Sequence, residues 1–199
     1  KESSAASDVY KRQPYDTMQK AIGYTGDVAG SLMENGIKID FAKLDENNKM
    51  SFENIKNKIN ANTKVIAIQR STGYSLRSAF TIGEIGDIIK QIKEFNKDII
   101  IFVDNCYGEF TNTLEPSDVG ADLVAGSLIK NPGGGIALSG GYIVGRADLV
   151  DRCSNELTAP GIGKEVGLSF GTTRLTLQGL FLAPHIVCQS IKGAKLIQR

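Results

Sequence analysis

The chain of 199 residues contains no tryptophan, one histidine and three cysteines. A lone His185 excludes a histidine-rich metal site, and any Ser-His-Asp triad would have to use that one residue. Cys106, Cys153 and Cys188 are odd in number and share no metal-ligand spacing. That usage fits reduced thiols in a cytoplasmic protein, in the core or near a site, and not a disulfide framework. Apolar runs are short and interrupted, so no membrane span is expected, and the opening residues hold no apolar signal-peptide core. A net charge of +1 gives no bulk attraction to nucleic acid or to acidic membranes. The glycines match neither G-x-x-x-x-G-K-[ST] nor a G-x-G-x-x-G after a strand.

What is present is an ordinary soluble composition, 41% hydrophobic and 23% charged, long enough for one domain with a real core. Lys1 to Gln13 is polar and aperiodic and reads as a non-native or disordered leader, with 14–199 as the folded part. Pro14 is placed to open a helix that ends before Gly23. Ile37 to Phe41 alternates as a half-buried strand does, and Ser51 can cap a helix to about Ile59. Further strands are expected at 65–69, 99–103, 122–126 and 141–145. Thr81 and Glu84 form a capping-box pattern. The helix it opens carries Ile85, Ile88, Ile89, Ile92 and Phe95 at spacings of three and four, a stripe to be buried. Helices follow over Ala147 to Leu157 and from Leu175 onward, separated by a long polar and glycine-rich loop. Alternating strands and helices predict an α/β fold with a mostly parallel mixed sheet covered on both faces.

The chemistry concentrates between Ile99 and Gly135. Asp104 ends a run of five apolar residues, where a carboxylate needs a partner: a cap, an ion pair or a ligand. Lys130 follows the strand Leu123 to Gly126 and is either a solvated loop lysine or an amine made nucleophilic by desolvation. Ser127 can donate to a phosphate or simply form a turn. Gly133 to Gly135 can offer backbone N–H groups to an anion or make a tight reversal. Tyr107 and Tyr15 can meet a ring or belong to core and rim. Arg70, Arg77 and Arg174 can bind carboxylate or phosphate, although any one of them would ordinarily lie at the surface. His185 reads as a packed, satisfied histidine. Cys106 adjoins the site with no evident base beside it.

Asp104 and Lys130 lie 26 residues apart, each after a hydrophobic strand, with a serine three residues before the lysine. This arrangement resembles the fold type I enzymes that use pyridoxal phosphate. The strings IQRSTGYSLR, FVDNCYGEF, EPSDVGADLVAGSLIKNPGGG and QGLFLAPH narrow it. They resemble the methionine gamma-lyase-related, or aluminium-resistance, family of the cysteine and methionine metabolism group. The resemblance implies a three-layer αβα large domain of the pyridoxal-phosphate-dependent transferase fold, truncated at both ends. It implies that Lys130 holds pyridoxal 5'-phosphate as a Schiff base and shuttles protons once freed. Asp104 would pair with the pyridine nitrogen, Ser127 would bind the phosphate, and Tyr107 would belong to the cofactor set.

The implied activity is carbon–sulfur elimination, β or γ, on a cysteine- or methionine-like amino acid. Transamination, or cofactor binding without catalysis, are the alternatives on the same fold. A homodimer or homotetramer is implied for the full-length protein, with no nucleic acid, membrane or metal partner. Two departures stand out. Ile129 occupies the position before the lysine, where better-known lyases of the group have a hydroxyl residue. The glycine-rich phosphate loop and the carboxylate-binding arginine of the fold would lie outside this chain, so the chain alone is not expected to turn over.

Overall fold

The computed structural model describes residues 16–26, 28–73, 75, 77–167 and 169–198. The leader, Pro14 and Tyr15 lie outside the described residues. The chain divides into two compact units, Lys1–Thr63 with Thr72–Phe80, and Lys64–Ser71 with Thr81–Arg199.

In the first unit, helix α1 spans Asp16–Ile22 and buries Gln19 and Ile22. It stops at Gly23, whose φ of 87° lets its own N–H and that of Tyr24 turn back to the carbonyl of Gln19. Helix α2 spans Phe52–Lys56 and opens as expected on Ser51, whose hydroxyl accepts from the Asn54 amide at 3.3 Å. It ends three residues earlier than the sequence suggested. Lys58 and Ile59 bond three residues back, so the chain tightens out of the α-helix after Lys56. Residues 37–41 form no strand, contrary to their alternation. A strand needs a neighbour for its N–H and C=O groups, and this unit has no other strand among its described residues.

The second unit holds a four-stranded sheet in the order β1-β2-β3-β4. Its strands are β1 Val65–Gln69, β2 Ile100–Asp104, β3 Leu123–Ser127 and β4 Gly141–Gly145. The first three run parallel and β4 returns antiparallel to β3. The sheet is thus mixed and mostly parallel, with four strands where five were expected. One face carries Ile68, Ile101, Val103 and Val124, all nearly inaccessible. Helix α3, Ile82–Phe95, adds buried Ile82, Ile85, Ile88, Ile89 and Ile92 to this core. Its capping box closes from both sides: Thr81 Oγ1 accepts from the Glu84 amide, and the Glu84 carboxylate accepts from the Thr81 amide at 2.8 Å. Phe95, expected in the buried stripe, is exposed, because it stands in the last turn next to the Asn96 cap. Helix α4, Ala147–Leu157, packs beside β4 and brings Leu149 to the other face, near Ile100, Phe102 and Leu123.

Asp122 fastens the amino-terminal side of the sheet. It accepts from Lys93 Nζ at 2.6 Å, from the Ile101 amide at 2.7 Å and from Arg146 at 3.3 Å. Burial works to raise its carboxyl, but these donors outweigh it, and the group is held below the ordinary carboxylate value.

Helix α5, Thr173–Ile197, is the longest element and contains Pro184. It meets the short 3-10 turn Asn131–Gly133 through glycines on both sides. A Cβ on Gly179 would collide with the Gly133 carbonyl, and one on Gly134 (φ 54°) with the Gly179 carbonyl. The glycine run thus serves close backbone packing. The amides of Gly133 and Gly134 bond back to Lys130 and Asn131. No described helix is long and apolar enough to cross a membrane.

Candidate active site

The three parallel strands end in register. Gln69, Asp104 and Ala125 form one rung, and two backbone bonds continue it: Arg70 N–H to Asp104 C=O at 3.0 Å, and Asn105 N–H to Ala125 C=O at 2.9 Å. In an open α/β sheet this carboxyl edge is where ligands bind. Asp104 lies there, only 8% exposed, and its Oδ1 accepts from the Cys106 amide at 3.0 Å. Ser127 closes β3, half-buried, with its hydroxyl accepting from the Ile129 amide at 3.3 Å. Lys130 follows in a backbone conformation outside the common regions, immediately before the 3-10 turn.

The Lys130 amine sits 4.6 Å from the centre of the Tyr107 ring. Tyr107 itself holds a left-handed backbone (φ 68°), a costly state for a residue with a Cβ. Burial pulls the amine downward, but the Cys106 thiol, Tyr107 and Asp104 outweigh it, and Lys130 is held above its ordinary value. The side chain is only half-buried and has electron-rich neighbours. The Cys106 thiol is also pushed upward, by burial and by Asp104, with Lys130 opposing. Asp104 and Lys130 form no direct ion pair.

Lys130 and Tyr107 line a cleft of about 360 Å³ whose far wall is α5, with Ile186, Val187 and Ile191. Asp104 and Ser127 do not line that cleft. Among the described residues no group of acidic, histidine and cysteine side chains is arranged to hold a metal. Of the other candidates, Arg174 is exposed on α5, and Arg77 stacks on Phe80 within the first unit. His185 is exposed on α5 and not packed, because the buried side of that helix here runs through Gly179, Ala183 and Val187.

Arg70 departs most from its expected surface position. It is 4% exposed beneath the loop that follows Asp104, donating to Asn105 Oδ1 at 2.8 Å and to Thr111 Oγ1 at 3.2 Å. Glu115 completes this cluster, accepting from Asn105 Nδ2 at 2.9 Å and from the Phe110 amide at 2.8 Å. Asn105, Glu109, Glu115 and Tyr142 escaped the sequence reading. The one available signal was the density of polar residues in DNCYGEFTNTLE directly after a buried strand.

The model for the family described as methionine gamma-lyase matches residues 9–199. The chain belongs to the methionine gamma-lyase family. The Bacillus subtilis protein YnbB is 50% identical over 188 residues, which cover 94% of this chain and 45% of that protein. A solved structure from Listeria innocua, named "putative cystathionine beta-lyase involved in aluminum resistance", is 50% identical with a TM-score of 0.89, over 93% of this chain and 45% of that one. A carbon-sulfur lyase involved in aluminum resistance from Clostridium novyi NT is 49% identical with a TM-score of 0.86, over 93% and 44%. The chain thus spans less than half the length of each of these relatives.

Proposed function

We propose that this chain is the lysine-bearing part of a pyridoxal-phosphate-dependent carbon–sulfur lyase of the fold type I architecture. Its substrate is a cysteine- or methionine-like amino acid, cleaved by β- or γ-elimination. Family membership and the lyase names of the relatives support the reaction class. The observation that carries the cofactor assignment is a lysine amine and a buried carboxylate brought to one sheet edge without a direct ion pair between them. Asp104 is 8% exposed and has no cationic ion-pair partner among the described residues. A carboxylate so placed is costly alone, and a protonated ring nitrogen would compensate it. The donor set therefore fits pyridoxal phosphate: Lys130 for the aldehyde carbon, Asp104 for the ring nitrogen, Ser127 for the phosphate and Tyr107 beside the ring.

When bound, the cofactor supplies the electron sink that stabilises a carbanion at the substrate α-carbon. The chain's own residues hold and move the proton. The Lys130 amine would accept the α-proton and deliver a proton as the sulfur group departs. Asp104 would hold the ring nitrogen by a hydrogen bond.

The test uses the full-length protein incubated with pyridoxal phosphate and then borohydride. Peptide mapping should find the cofactor fixed to Lys130. Lys130→Ala should lose both the fixed cofactor and thiol release. Asp104→Ala should retain fixation while thiol release falls at least tenfold. Fixation at another lysine, or full thiol release by Lys130→Ala, would overturn the assignment.

A further inference from the structure

Glu109 is 4% exposed and has no part in the chemistry described above. Its Oε1 accepts from the Tyr142 hydroxyl at 2.8 Å, while its Oε2 is buried without a hydrogen-bond partner among the described residues. The pair occupies space that Gly126 leaves open, since a Cβ there would collide with both the carboxyl of Glu109 and the ring of Tyr142. At its other end, the Glu109 backbone carbonyl accepts from Asn131 Nδ2 at 2.9 Å. Asn131 is the residue after Lys130. Glu109 is thus tied by its side chain to β4 and by its backbone to the lysine turn, two residues beyond Tyr107.

We propose that Glu109 is a positioning residue: its bond to Tyr142, together with the Asn131 contact, sets the loop that places Tyr107 over the Lys130 amine. The left-handed backbone at Tyr107 and at Phe110 (φ 60°) would relax without such ties. On the other side the same loop is held by Arg70, Asn105 and Glu115, so Tyr107 is carried on a segment clamped from two directions. The charged and titratable groups facing Glu109 are Tyr142 on β4, Glu115 in its own loop, Lys130 after β3 and Arg70 after β1. Burial, the largest influence, pushes the Glu109 carboxyl above its usual range, while the hydrogen bond from Tyr142 pulls against it. This assignment rests on the reading of Lys130 as the cofactor lysine, but its test needs no cofactor.

The experiment is trace acetylation of the full-length protein, first stripped of pyridoxal phosphate, with acetic anhydride across pH, scored at Lys130 by mass spectrometry. Tyr142→Phe removes the hydrogen bond and keeps the ring. Lys130 should then titrate lower, with about threefold more free amine at a given pH, the worth of one exposed cation–π contact. Glu109→Ala should shift it the same way. Glu109→Gln still offers an oxygen to Tyr142 and should follow the wild-type curve. Coincidence of all four curves, even with a lower melting temperature for Glu109→Ala, would assign Glu109 to stability alone and overturn the proposal. So would a Gln variant that shifts as far as Ala. Borohydride fixation at Lys130 is scored separately. Shifted curves without fixation would sink the cofactor reading only, and fixation with coincident curves would sink this one only.

Discussion

The Lys130 amine rests 4.6 Å from the centre of the Tyr107 ring, on a residue that is itself 62% exposed. An ammonium over an aromatic face is favoured in its charged form, by about 0.5–1 kcal/mol at an exposed site. Tyr107→Leu should therefore speed acylation of Lys130 by a trace reagent about two- to fivefold at pH 8–9. An unchanged rate would mean that the ring does not act on the amine.

Gly133 carries a different prediction. A Cβ at this position would run into the Leu128 carbonyl, which is backbone and has no rotamer to yield. Gly133→Ala should destabilise the second unit by about 1–3 kcal/mol, the usual cost of overpacking. Because the residue lies three positions after Lys130, cofactor fixation at Lys130 should fall with it. Urea unfolding and borohydride trapping measure the two effects, and wild-type values for both would show that the turn accommodates a methyl group.

Asp122 predicts a pH dependence. Its carboxyl is held below the ordinary value of 3.8, so its contribution to folding is present above that value. As pH falls through the lowered folded value, the folded state must also take up the proton, and the contribution disappears. Asp122→Asn should cost about 2 kcal/mol at neutral pH, since charged hydrogen bonds to Lys93, Ile101 and Arg146 are weakened together. The difference from wild type should shrink as pH falls below 3.8 and through the lowered folded value. Chemical denaturation at several pH values reads both arms.

The capping box on α3 gives the smallest effect. Thr81→Ala removes the acceptor for the Glu84 amide and should lower stability by about 1 kcal/mol, with no effect on cofactor fixation at Lys130. A loss of fixation in this variant would point to a role for α3 beyond support.

Much of the second unit was legible because its signals are local. The isoleucine spacing from Ile82 to Ile92 repeats with the helical period, and the T-x-x-E cap sits where that period begins. The apolar runs ending at Asp104 and Ser127 are strands buried by their neighbours, and the chemistry-bearing residues follow them in the chain. Motif strings of this kind carried the family, and the match over residues 9–199 agrees with them.

The sequence could not decide which patterns find partners in space. Residues 37–41 alternate as a strand does, yet pair with nothing, because a ladder requires a second strand. Arg70 looked like a surface guanidinium and is buried, because Asn105 and Thr111, each more than 30 residues away, supply its acceptors. Glu109 and Tyr142 lie 33 residues apart and meet only because β4 returns antiparallel beside β3, over a glycine that leaves them room. Residue type and period determined the elements and the catalytic candidates. Long-range hydrogen bonding, which exists only once the chain has folded, decided which groups surround Lys130 and the clamp that holds Tyr107 beside it.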